Sequence, residues 1–144
     1  MSTEENKAVV LRLWEEVINE GNYRVADEHF APAYVYHSPD MPDVNGPGGF
    51  KELIAMFRAA FPDAHVTVED WVAEGDKVAC RWRGIGTHRG TFMGVPPTGK
   101  IVTVSGMLIS HFAAGKIVEE WGLRDMLGVA RQLGVIPALR GTEP

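Results

Sequence analysis

The feature that most constrains this chain is a change of period near residue 65. Before it, apolar residues recur every third or fourth position; after it, every second. Val10, Leu13, Trp14, Val17 and Ile18 share one face of a helix predicted over residues 4–19, the spacing of an amphipathic helix laid on a core. Ser2 with Glu5 offers a capping box and Gly21 a C-terminal stop. A short second helix is predicted over "YRVADEHF", ended by Ala31 and Pro32. "YVYH" reads as extended, and "SPDMPDVNGPGG" as a loop suited to act as a mobile lid. A third helix is predicted over about residues 48–60, with Phe50, Leu53, Ile54 and Phe57 on one face.

The second half reads as strands. "HVTVEDWVAE" and "KVACRWRGIGTHRG" flank a hairpin signal, Gly75-Asp76. "KIVTVSGMLISHFA" turns at Ala114-Gly115 into "KIVEEWGLR". A last helix is predicted from 126 to about 133, stopped by Gly134, and the tail at about 140–144 is expected to fray. Helices, then consecutive antiparallel strands, then a closing helix make an α+β fold and not a βαβ one. Gly84, Gly86 and Gly106 suggest bends or bulges that curl the sheet. A curled sheet closed by helices is a half-barrel around a deep apolar pocket. A single domain spanning 1–144 is expected, and 45% hydrophobic residues suffice for a core without staples. Cys80 stands alone, which excludes an intrachain disulfide, and its strand-like surroundings suit a small buried hydrophobe.

Charge and motif remove several function classes. A net charge of -5 with scattered Lys and Arg argues against nucleic acid. No run approaches the roughly 20 apolar residues of a membrane span, and "MSTEENK" lacks an apolar signal region, so a soluble cytoplasmic protein without membrane partners is expected. "GVPPTGK" matches G-x-x-x-x-G-K, yet Ile101 follows in place of Ser or Thr and a strand in place of a helix. It reads as a rigid inter-strand loop. The histidines at 29, 37, 65, 88 and 111 show no metal-ligand spacing, so no metal is expected.

What remains is polar residues on apolar elements. Asp125 ends the last strand in phase with Ile117, Trp121 and Leu123; His111 and His37 lie near the ends of two others. Trp14, Trp82 and Trp121, with Phe57, are candidate walls for a hydrophobic ligand. A carboxylate among such walls would be desolvated and its pKa raised, which suits a general base for carbon acids. A nearby imidazole N–H could stabilise an enolate oxygen. The competing reading is structural. Asp125 stands where the N-cap of "MLGVARQLG" belongs, and capping lowers a carboxyl pKa. His111 then faces solvent, and His37 is a loop residue. Glu119 has the parity of Trp121 and Glu120 the opposite one, so one of them faces solvent or a partner subunit. Arg81 and Arg83 alternate against Trp82, on the exposed or subunit-facing side.

The order of "FPDAHVTVEDWVAEGDKVACRWRGIGTHRGTFMGVPPTGK", "GKIVEEWGLRD" and "RQLG" resembles the SnoaL-like polyketide cyclases (ester cyclases) of the NTF2-like superfamily. The resemblance implies an NTF2-like cone, a curved, mostly antiparallel sheet wrapped by three to four helices around one apolar pocket. It implies cofactor-free acid/base chemistry, an intramolecular aldol condensation on a polyketide-like carbonyl substrate. Asp125 would be the acid/base, with His37 and His111 at pocket positions. It also implies a homodimer or higher homo-oligomer paired through the outer sheet face. Many relatives carry His where this chain has Glu120. The fold hosts other chemistries, so an isomerase, dehydratase or hydrolase, or a non-catalytic binding or dimerisation domain, stands as the alternative.

Overall fold

The computed structural model describes residues 2–136; the tail expected to fray lies outside them. Helix α1, Thr3–Arg12, runs on without a break as π-helix through Leu13–Asn19. Its capping box forms as the sequence suggests: the Glu5 amide donates to Ser2 Oγ and the Ser2 amide to Glu5 Oε1. Gly21 ends the segment at a φ of 75°, where a side chain would be strained. The other elements are α2 Arg24–His29, β1 Phe30–Ser38, β2 Met41–Asn45, α3 Gly46–Ala60, β3 His65–Glu74, β4 Lys77–Thr87, β5 Ile101–Ala113, β6 Lys116–Arg124 and α4 Met126–Gln132.

Among the described residues the strands form one sheet in the order β2-β1-β6-β5-β4-β3. Only β1 and β6 pair in parallel. The helices cover one face, and Val10, Trp14, Val17, Phe30, Tyr34, Phe50 and Ile117 form the core between. This is the α+β cone expected from the sequence.

Three local readings change. The "SPDMPDVNGPGG" segment is not a loop: Met41–Asn45 pairs with β1, and α3 starts at Gly46, with Pro47 in its first turn. Pro32 does not follow a helix but lies inside β1. The curl also has another source. Between β4 and β5 the register is unbroken through Gly84, Gly86 and Gly106. The irregularities fall where Glu69 is inserted in β3 and Val118 in β6, and where β1 shifts against β2 (Tyr36/Ser38) and against β6 (Phe30/Val35); an extra residue bends and twists the strand that carries it. The strand glycines serve close approach instead: a Cβ on Gly106 would lie 2.4 Å from Trp82 Cζ2.

The Val118 bulge decides which side chains enter the core. Ile117 is fully buried, but beyond the extra residue the phase reverses. Glu120, Gly122 and Arg124 turn inward, and Trp121 and Leu123 turn out, 55% and 63% exposed.

Candidate active site

Between the helices and the concave face lies an apolar cavity of about 180 Å³. Trp14, Phe50 and Phe57 wall it from the helices; Trp82, Val104 and Leu108 wall it from β4 and β5. Tyr36, Arg58, Glu120 and Arg124 are the polar side chains on its lining. They are few and placed against an apolar ground, the usual make-up of a small-molecule site.

Glu120 is 4% exposed. The Tyr34 hydroxyl donates to its Oε1 at 2.7 Å, and the Ser110 hydroxyl donates to Oε2. Strand register brings this triad together: Ser110 of β5 pairs with Glu120 of β6, and on the other side β1 pairs Tyr36 with Glu120, which leaves Tyr34, two residues earlier in β1, within reach of it. Burial pushes the Glu120 carboxyl up to about 7, against the lowering effect of the Ser110 and Tyr34 hydrogen bonds. Burial and the neighbouring carboxylate raise the Tyr34 phenol well above its ordinary range, so it keeps its proton and donates it.

Arg124 lies four residues further along β6, on the same inward face. Its Nη2 donates to both oxygens of Asp40, at 3.1 and 3.2 Å, and its guanidinium stands 4.9 Å from the Phe57 ring centre. Burial works against the charge of Asp40, but the Ser38 hydroxyl and Arg124 overcome it and hold the carboxyl below its ordinary value.

The residues proposed from sequence do not converge here. Trp14, Trp82 and Phe57 do line the cavity; Asp125, His111, His37 and Trp121 do not. Asp125 is exposed and accepts the Gly128 amide at 2.9 Å, the N-cap of α4. His111 points outward and meets Asp76 at 2.9 Å. His37 also points outward, between Asp43 at 3.0 Å and Glu119 at 2.6 Å, and stacks on Trp121 with ring centres 4.1 Å apart. The Glu119 hydrogen bond, then that of Asp43, raises its pKa. His37 and Trp121 border a wider groove of about 770 Å³ on the convex face, with exposed Val72, Met107, Ile109 and Leu123. Cys80 is buried and its thiol is pushed up to about 12 by burial, in keeping with a packing role.

Sequence reasoning did not place Glu120, Tyr36, Arg58 or Arg124, the polar side chains of the lining, in the site. One signal was present: two adjacent carboxylates, Glu119 and Glu120, in mid-strand cannot both face water.

The SnoaL-like polyketide cyclase family matches residues 8–133. The aklanonic acid methyl ester cyclase DnrD of Streptomyces peucetius is 28% identical over 74% of this chain and 72% of its own length. The corresponding cyclase AcmA of Streptomyces galilaeus is 28% identical over 83% and 84%. Among solved structures, AclR of Streptomyces galilaeus superposes with a TM-score of 0.85 at 33% identity, over 94% of this chain and all of its own. TsrD of Streptomyces laurentii gives 0.85 at 26% identity, over 94% and 99%.

Proposed function

Because the chain belongs to the SnoaL-like polyketide cyclases, we propose that it closes a ring in an apolar carbonyl substrate by cofactor-free proton transfer, with Glu120 as the base. The observation that carries this is the buried carboxylate on the lining of an otherwise apolar cavity. A carboxyl poised near 7 is ionised in part at neutral pH and basic enough to take a proton from carbon α to a carbonyl. The C–H bond breaks, the enolate carbon attacks a second carbonyl of the same molecule, and a C–C bond forms. The new alkoxide takes the proton back from the Glu120 carboxylic acid. Atoms and electrons balance without an added reactant. The Ser110 and Tyr34 hydroxyls hold the carboxyl in place throughout.

Aklanonic acid methyl ester, which names the curated relatives, is the first substrate to assay. Glu120→Gln is expected to lower turnover by about 100- to 10,000-fold, and wild-type turnover should rise with pH through about 7. Asp125 is flanked by two residues of the lining, Arg124 and Met126, which favours a second reading with Asp125 as the acid/base at the rim. Asp125→Asn separates the two: undiminished Glu120→Gln turnover with an inactive Asp125→Asn would transfer the role to Asp125.

A further inference from the structure

We propose that Arg124 is a specificity group that docks a neutral carbonyl oxygen, of a ketone or an ester, at the end of the substrate away from Glu120. The inference rests on the cavity reading above and adds which chemical group the far end of the cavity selects. Three observations carry it.

First, Arg124 lines the cavity, with a side chain only 12% exposed, yet among the described residues its buried Nε has no hydrogen-bond partner. An unpartnered buried N–H on a guanidinium is an unused donor, and leaving it unmet is unfavourable. Its position is fixed: Nη2 is engaged by Asp40 and the guanidinium lies against Phe57. A bound acceptor therefore meets a donor that is already oriented, the condition under which a hydrogen bond adds affinity and not only order.

Second, the charge is already cancelled. Asp40 bonds the guanidinium with both oxygens and is held ionised. An anionic ligand would gain little from a neutralised pair and would face both Asp40 and Glu120. A neutral carbonyl takes the free N–H without that repulsion.

Third, the geometry sets a length. Glu120 and Arg124 project from one face of β6 four residues apart, roughly 13 Å between their Cα atoms in an extended strand. Gly122 between them leaves room for Tyr36, whose hydroxyl would lie 2.5 Å from a Cβ there. A ligand spanning the two groups is polarised, with its acidic C–H at one end, its docking carbonyl at the other and an apolar ring body along the aromatic walls.

The test uses three probes of one ring size: methyl 2-naphthoate, 2-ethylnaphthalene and 2-naphthoate. Binding is read from quenching of the cavity tryptophans, Trp14 and Trp82. Wild type is expected to prefer the ester to both the hydrocarbon and the carboxylate. In Arg124→Met the ester-over-hydrocarbon ratio should fall about 10-fold while hydrocarbon binding holds. Asp40→Asn, which leaves the guanidinium charged, should raise naphthoate affinity at least 10-fold with hydrocarbon binding unchanged; it keeps the proposal testable if Arg124→Met does not fold. An unaltered ratio in Arg124→Met, or naphthoate as the best wild-type ligand, overturns the docking role and leaves the cavity reading intact. Failure of ester and hydrocarbon alike to bind wild type would instead remove the apolar-substrate reading itself, and this inference with it.

Discussion

Glu120→Gln tests the buried carboxyl without any substrate. Between pH 4.5, its ordinary value, and about 7, the folded protein keeps a proton on Glu120 that the unfolded chain releases. The folded state binds more protons in that window, so stability falls as pH rises through it. Below 4.5 the effect is absent; above about 7 it is complete. At about 1.36 kcal/mol per pH unit, the whole window is worth about 3 kcal/mol. Urea unfolding followed by tryptophan fluorescence at pH 5, 6, 7 and 8 measures it, as the difference between wild type and Glu120→Gln. The difference matters because two histidines titrate nearby. His37, raised, contributes stability that is lost as pH rises; His29, lowered chiefly by burial, has the opposite sign. Both cancel when the two proteins are compared. The glutamine cannot ionise, so from pH 5 to 8 it should gain about 2 to 3 kcal/mol on wild type. A difference that does not move with pH would show that Glu120 ionises at its ordinary value, and the proposed base would lose its physical ground.

Other perturbations follow from single contacts. Asp125→Ala should lower unfolding stability by about 1 kcal/mol through loss of the α4 cap, and Asp125→Asn should restore most of it. Gly106→Ala places a methyl against the Trp82 ring and should cost about 1–3 kcal/mol in urea titration, with altered tryptophan emission. The exposed apolar face of Met107, Ile109, Trp121 and Leu123 is proposed to pair two copies. Leu123→Asp should then convert a dimer to a monomer in size-exclusion with light scattering, and a monomeric wild type would refute the pairing.

Most of the fold was legible because period-two and period-three-to-four patterns are local. Helix α1 with its capping box, the β3–β4 hairpin at Gly75 and the β5–β6 turn at Ala114-Gly115 all stand where spacing and turn residues put them. β2 was hidden because its five residues carry Pro, Asp and Asn and gain their ladder from β1, a partner no local pattern announces. The inward placement expected of Asp125 does not hold, for one reason. Reading β6 as an unbroken strand puts Ile117, Trp121, Leu123 and Asp125 on one face, and a buried Ile117 then seems to carry Asp125 into the core. A single inserted residue, Val118, ends that phase. Alternation could not expose the error, because β6 is apolar on its outer face too, at Trp121 and Leu123. Counting outward from the turn would also mislead: Phe112 pairs Ile117, and without the bulge Ser110 would meet Glu119. With it, Ser110 meets Glu120, and the carboxylate that belongs to the cavity changes by one position in the chain. Core polarity is the better guide in such a strand. Tyr34 and Ser110 are fully buried hydroxyls on the two neighbouring strands, each must have a partner, and only an inward Glu120 supplies both.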